Sequence, residues 1–210
     1  EFIRSGGTWG FIGSILGLVL SLLIASLLLL SIIGLTLWMS WIQQITYVSI
    51  LAELFMFLSL VALSNPLFGN IIVLIASHIL SKAYRNRAIW SNMLYSFITA
   101  IVGTVALILM SVYLTYIISL TPTGLNDVAE GVMAISSYAL FYIIILMIAL
   151  FMRDAYNELG KSSGVKDFGK AARWYWLGAI LVVALGVGSL LMMAAAIYAA
   201  LGYNKLRKTM

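Results

Sequence analysis

The chain has 210 residues, of which 63% are apolar and only 9% are charged, and its formal net charge is +5. A water-soluble domain carries about a quarter charged residues, so this composition excludes a soluble globular protein. The absence of cysteine excludes disulfides and thiolate metal sites. Repeated apolar runs of about 18 or more residues are typical of transmembrane helices, whereas barrel strands alternate polar and apolar residues. The sequence therefore predicts an all-α, polytopic integral membrane helical bundle that forms one transmembrane domain over residues 1–210.

Seven apolar runs succeed one another along the chain, separated by polar or glycine-rich breaks. The predicted spans are about 9–37, 43–64, 67–84, 90–118, 132–152, 170–186 and 189–205. A single helix over 174–203 would be about 45 Å long, against a hydrocarbon core of about 30 Å. A reversal at Gly186-Val187-Gly188 is therefore expected to divide that stretch into the last two spans, because glycine permits a tight turn.

Eleven of the twelve Lys and Arg residues lie in three clusters, and such clusters collect in cytoplasmic loops. Two short clusters are expected to set the topology: Lys82, Arg85, Arg87, Lys205, Arg207 and Lys208. The third lies within 153–173, a predicted cytoplasmic loop that begins with a helix end stopped by Gly160. We therefore predict a multi-pass protein of the cell membrane with its basic loops and C-terminus in the cytoplasm.

The number of spans depends on residues 43–64. If this run crosses the membrane, the protein has seven spans and its N-terminus lies outside. If it lies on the outer surface, the protein has six spans and the N-terminus is cytoplasmic. Hydropathy alone favours seven, and we give that count a slight preference.

An internal sequence repeat, which we call the echo, supports the alternative of six spans. The segment "WGFIGSIL" (9–16) matches "WYWLGAIL" (174–181), and "GNIIVLIASHILSKAY" (69–84) matches "GSLLMMAAAIYAALGY" (188–203) more weakly. Together these matches indicate a duplicated helical hairpin with an insert, roughly 36–64, in the first copy. A parallel duplication favours six spans and an insert that does not cross.

Two further stretches carry a family resemblance: "HILSKAYRNRAIWSNMLYSFI" (78–98) and "FMRDAYNELGKSSGVKDFGKAARWYWLGAIL" (151–181). In both, a helix end runs into a polar loop and then into a further apolar segment. The chain resembles the archaeal and bacterial multi-pass membrane proteins grouped as domain of unknown function 996. The resemblance covers most of the chain outside the insert and implies a membrane bundle and an archaeal source. It implies no activity and no functional residue.

Glu53 is the one acidic residue inside an apolar run, and no cation lies between Arg4 and Lys82 to pair with it. A carboxylate at bilayer depth is costly and often marks an ion or proton path. Thr46 and Ser49 share its helical face. The alternative is a neutral carboxyl that contacts another subunit or lies at the membrane interface. We favour this alternative, because a proton path normally needs a relay and only one acid is present.

The sequence offers no constellation for catalysis, a cofactor or a metal ion. His78 is the only histidine and has no second donor at ligand spacing, so we interpret it as a helix-end residue with a local hydrogen bond. The "GKSSG" run (160–164) resembles a phosphate-binding loop, but Ala155 stands where that motif requires glycine. We therefore predict a protein that is not an enzyme, binds no cofactor and does not bind nucleic acid.

Small residues at four-residue spacing are predicted to pack helix against helix, because they let backbones approach closely in lipid. These residues are Gly13, Gly17, Ser21, Ala25, Ser96, Ala100 and Thr104. The stripes and the scarcity of polar intramembrane residues favour an accessory or structural subunit of a larger membrane complex. Its partners would be the lipid bilayer and other membrane subunits or a second copy. The alternative is a small transporter or channel with Glu53 in its path.

Overall fold

A computed structural model describes residues 1–39, 69–120, 126–182 and 187–208. All secondary structure within these ranges is α-helix. The helices are α1 (Phe2–Met39), α2 (Gly69–Ala83), α3 (Arg87–Leu120), α4 (Asn126–Ser163), α5 (Lys166–Leu181) and α6 (Val187–Lys208). The run 43–64 and most of the insert 36–64 lie outside the described residues, as does Gly186 of the predicted reversal.

Three of the described helices contain segments long and apolar enough to cross a membrane: Phe2–Leu20, Arg87–Tyr113 and Ile135–Ser163. Helix α2 is apolar but shorter. At most a third of each candidate segment is buried inside the protein, so most of its apolar surface faces outward. Lipid solvates such a surface and water does not, so the predicted class, an all-α membrane bundle, is confirmed.

Helices α1 and α2 pack against each other in opposite directions. A Cβ atom added to Gly6 would lie 2.7 Å from Leu80 Cγ, near the start of α1 and the end of α2. At the other end of the contact, a Cβ on Gly69 would lie 2.6 Å from Gly17 Cα. The N-terminus therefore lies at the same end of the bundle as the α2–α3 turn. The six-span alternative requires this antiparallel arrangement, whereas three successive crossings would make α1 and α2 parallel.

The remaining helices complete the bundle through contacts between neighbours. Helix α3 packs on α4, α4 on α5, and α5 on α6, while α6 also packs against α1. The contact between α1 and α6 is close, because a Cβ on Gly7 would lie 2.9 Å from the backbone nitrogen of Arg207. On the same helix, Gly10 lies directly against the ring of Tyr203. The N-terminal turns of α1 are thus held between α2 and α6.

The echo in the sequence corresponds to a repeated contact in the structure. Its alignment pairs Gly13 with Gly178 and Val73 with Met192. A Cβ on Gly13 would lie 2.9 Å from the backbone nitrogen of Val73. The equivalent atom on Gly178 would lie 3.0 Å from the backbone nitrogen of Met192. Both hairpins therefore cross at the same pair of aligned positions.

A second pair of aligned glycines repeats in the same way. A Cβ on Gly69 would collide with the backbone of Gly17, and a Cβ on Gly188 would collide with the backbone of Val182. Gly17 and Val182 are equivalent when the alignment of 9–16 with 174–181 is extended by one position. The α1–α2 and α5–α6 hairpins thus share their packing geometry as well as their sequence pattern.

The polar stretch 153–173 is helical except at Gly164 and Val165. The prediction that the helix ends at Gly160 was wrong. The actual stop is Gly164, whose φ of +71° is a left-handed conformation that glycine adopts easily. Helix α4 continues past its apolar run because its inner face still buries apolar side chains, those of Ala155, Tyr156 and Leu159.

Candidate functional site at the polar end of the bundle

The charged residues whose side chains the structure describes gather at one end of the bundle, which we call the polar end. It comprises the start of α1, the α2–α3 turn, the α4–α5 turn and the last turns of α6. Side-chain contacts between these four parts hold them together. The three predicted basic clusters therefore lie at the same end of the fold.

Asn86 links the α2–α3 turn to α4. Its Nδ2 donates to Glu158 Oε2 at 3.1 Å and to Ser162 Oγ at 3.1 Å. Its Oδ1 accepts a hydrogen bond from the backbone N–H of Ala88 at 3.1 Å, so the same side chain caps the start of α3. Lys161 Nζ donates to the other oxygen of Glu158 at 2.7 Å. The amide of Asn86 and the ammonium group of Lys161 thus each donate a hydrogen bond to the partly exposed carboxylate of Glu158.

Asp167 links the start of α5 to the end of α6. Its carboxylate is only 9% exposed, and its Oδ2 lies 2.5 Å from Lys205 Nζ. The Lys205 side chain is 63% exposed and therefore remains in contact with solvent. Asp167 also lies in the first turn of α5, where the helix dipole favours a negative charge. This pair ties the two ends of the α5–α6 hairpin together.

Four aromatic rings lie just inside the polar end, three of them buried and the fourth, that of Tyr175, partly buried. Tyr156 stacks on Tyr175 with ring centroids 5.7 Å apart and on Phe168 at 6.1 Å. Tyr203 meets Phe168 edge-on at 5.0 Å. These rings join α4, α5 and α6 into one cluster with favourable stacked and edge-to-face geometry. No sequence pattern revealed the cluster, although the echo that pairs Tyr84 with Tyr203 contained one of its members.

Three cations at the polar end lie over aromatic rings. The pairs are Arg153 with Trp176 at 5.2 Å, Lys170 with Tyr198 at 5.4 Å, and Arg207 with Phe11 at 5.0 Å. Each distance is within the range of a cation–π contact. Aromatic rings beside cations are typical of the boundary between hydrocarbon and head groups.

The six cations expected to set the topology all lie at the polar end. Lys82, Arg87 and Lys208 are exposed. Arg85 is exposed in the α2–α3 turn with a φ of +51°, the left-handed value that closes this turn. The remaining two, Lys205 and Arg207, contact Asp167 and the ring of Phe11, and Arg207 Nη2 also donates to Asn204 Oδ1 at 3.0 Å.

The predicted packing residues lie in two helices. Gly13 and Gly17 contact α2, while Ser21 and Ala25 belong to the part of α1 whose side chains lie outside the described structure.

In α3, Ser96 and Ala100 are buried. Thr104 donates its hydroxyl hydrogen to Ala100 O at 2.8 Å. Gly103 was not among the predicted packing residues, although a Cβ there would lie 2.5 Å from Ile144 Cγ2 of α4. A single glycine within a run of larger residues gives no spacing pattern that would reveal such a contact.

The two remaining candidates give different results. Glu53 lies outside the described residues, so its interpretation stays a prediction. His78 meets the ring of Trp90 edge-on with centroids 4.6 Å apart. Its Nδ1 is buried and has no hydrogen-bond partner among the described residues, so the local bond that we predicted is not found at that atom. Within the described ranges, no group of three His, Cys, Asp or Glu residues is placed to hold a metal ion.

Comparison with known proteins identifies the family. A family model described as "Protein of unknown function (DUF996)" matches residues 65–197. No curated protein and no solved structure matches the chain. The matched range covers more than half of the chain and includes both stretches, 78–98 and 151–181, that carry the resemblance. It begins after the insert 36–64, and it also leaves out the segment before the insert, which the resemblance was expected to cover. The chain belongs to this family of proteins of unknown function.

Proposed function

We propose that this protein is a non-catalytic accessory or structural subunit of a larger membrane complex. The observation that carries the proposal is the nature of the side chains that fill the interior of the helix bundle. Most core side chains between the described helices are apolar, as in Val73, Leu107, Phe141 and Ile145, and the buried polar exceptions among the described residues are four serines and Asp167. A hydrophilic solute would find no continuous polar wall along this core.

Three hydroxyl groups within the helices support the same proposal. Ser77, Thr104 and Ser111 each donate to a carbonyl oxygen three or four residues earlier in their own helix, at 2.7–2.8 Å. A hydroxyl used in this way is directed along its helix and does not hydrate a path. Transport proteins usually contain several intramembrane polar groups and broken helices at a central site. The described residues instead resemble a packed scaffold.

We further propose that the polar end faces the cytoplasm and that the protein resides in the cell membrane. Cations retained on the cytoplasmic side are the basis for this orientation. The antiparallel packing of α1 and α2 would then place the N-terminus in the cytoplasm and supports six spans. The archaeal source implied by the resemblance stays a prediction.

Gentle detergent extraction from the native membrane tests the subunit role. A tag on the C-terminus would be used for purification, and the co-purified chains would be quantified. We expect a fixed set of other membrane proteins, or a second copy, in constant stoichiometry. A monomer without fixed partners would contradict the proposal.

The alternative, a transporter with Glu53 in its path, is tested in liposomes containing the purified protein. Proton and ion flux would be measured for the wild type, Glu53→Gln and the carboxylate-retaining control Glu53→Asp. A subunit is expected to give no flux above protein-free liposomes. Flux that Glu53→Gln abolishes and Glu53→Asp retains would favour transport.

A further inference from the structure

The outward face of α5 carries three cations on successive turns. Lys166, Lys170 and Arg173 are exposed and lie within about 60° of one another around the helix axis. The only acid of α5, Asp167, is buried to one side and pairs with Lys205. Among the described residues, no carboxylate lies within ion-pair distance of any of the three cations. This strip is therefore a positive surface without an internal counter-charge.

The same face becomes apolar one turn further along the helix. Leu177, Ile180 and Leu181 are 37%, 39% and 38% exposed and continue the line of the three cations. Arg173 and Leu177 are separated by about 6 Å along the axis. That distance is comparable to the head-group layer of one leaflet, about 5–8 Å thick. The cationic and apolar parts of this face are thus spaced like the head group and the acyl chains of a phospholipid.

Lys170 is the anchored member of the cationic strip. Its ammonium group lies over the ring of Tyr198 in α6, 5.4 Å from the ring centroid. This contact restricts the long side chain and keeps it beside Lys166 and Arg173. A positively charged group held in place loses less conformational entropy when it binds an anion.

We propose that this face of α5 binds an anionic phospholipid from the leaflet at the polar end. The phosphate would lie against Lys166, Lys170 and Arg173, and an acyl chain would run along Leu177 and Ile180. The cations of the α2–α3 turn form a poorer site. They are spread around a turn, and Asn86 brings the acid Glu158 close to them. The inference holds for a subunit and for a transporter, because it depends only on α5 and its surroundings.

The test compares two variants that remove the same charge from the polar end. One is Lys166→Gln with Arg173→Gln, and the matched control is Lys82→Gln with Arg87→Gln. The full chain would be equilibrated with equal amounts of phosphatidylglycerol and phosphatidylcholine, and retained lipids would be counted by native mass spectrometry. We expect the wild type to prefer phosphatidylglycerol. In the α5 variant the apparent affinity for phosphatidylglycerol should fall about tenfold. In the control variant the same affinity should change less than about twofold.

Two results would overturn the proposal: equal retention of both lipids by the wild type, or equal losses in both variants. The second result would indicate a diffuse positive field without a specific site. If the α5 variant does not fold, Lys166→Arg with Arg173→Lys keeps the charges and Lys166→Gln alone removes one. The proposal then requires preserved affinity in the first and a weaker, measurable loss in the second.

Discussion

The α1–α2 and α5–α6 hairpins share one packing contact but differ at the polar end. In both, aligned glycines bring the two backbones into direct contact, at Gly69 in the first hairpin and Gly188 in the second. At the polar end, α2 stops at Ala83 and the chain turns into α3, whereas α6 continues to Lys208. Backbone contact therefore defines both hairpins, whereas α6 extends further than α2 and supplies Lys205 and Arg207 to the polar end.

The largest effect is expected from Gly188→Ala in the α5–α6 hairpin. The new Cβ would overlap backbone atoms of Gly178 and Val182, which cannot rotate away as a flexible side chain could. Overpacking costs about 1–3 kcal/mol and more where the backbone must shift, and the better helix propensity of alanine offsets only about 1 kcal/mol. We expect a net loss of about 3 kcal/mol, measured as the free energy of unfolding in detergent.

Gly169→Ala provides the control within the same hairpin. A Cβ at Gly169 would meet no atom within 4 Å, so only the helix propensity changes. The substitution should leave stability unchanged or raise it by about 1 kcal/mol. Equal losses for the two variants would show that the close contact at Gly188 does not determine stability.

Gly69→Ala extends the comparison to the α1–α2 hairpin and should have a smaller effect. Its Cβ would lie 2.6 Å from Gly17 Cα but 3.1 Å from the next nearest atom, so one backbone contact must open. We expect a loss of about 2 kcal/mol in the same unfolding measurement. If Gly69→Ala lost more stability than Gly188→Ala, the result would contradict the ranking predicted from the backbone contacts of the two glycines.

The contacts of Gly13 and Gly17 could be predicted from sequence because these two residues obey a spacing rule. Gly13 and Gly17 form a four-residue stripe, and the echo relates Gly13 to Gly178. A spacing rule does not predict the role of a glycine that could either end a helix or pack inside one. Gly160 was taken as a helix stop, but it lies inside α4, where a Cβ would meet Gly169 N at 3.4 Å. The backbone angle that distinguishes Gly164 from Gly160 depends on how the α4–α5 turn packs.

The links at the polar end could not be predicted because they join residues far apart in the sequence. Asn86 and Glu158 are 72 positions apart, and no local pattern relates them. The basic clusters were visible in the sequence and indicated a shared end of the bundle. Which acid each polar side chain meets depends on the order of neighbouring helices, which composition and hydropathy do not determine.

Lys205→Gln tests the second hairpin's link at the polar end. Removal of the ammonium group leaves Asp167, which is only 9% exposed, without its charged partner. Breaking a fully buried pair costs about 3–5 kcal/mol, but Lys205 is 63% exposed, so solvent offsets part of the loss. We expect a loss of about 1–2 kcal/mol in the unfolding measurement. Addition of Asp167→Asn should recover part of it, and a failure to recover would mean that the pair is not coupled.

Asn86→Ala tests the link of the first hairpin, because the alignment that pairs Tyr84 with Tyr203 places Asn86 opposite Lys205. The change removes a neutral cap from α3 and one donor from Glu158, for an expected loss of about 1 kcal/mol. Lys161→Ala removes the other donor to Glu158 and with it a solvent-exposed ion pair. This pair should contribute less than about 0.5 kcal/mol to the free energy of unfolding. Thermal unfolding at low and high salt separates the two, since only the ion pair is screened. A larger, salt-sensitive loss for Lys161→Ala would mean that the ion pair within α4 contributes more to stability than the link that Asn86 makes to Glu158.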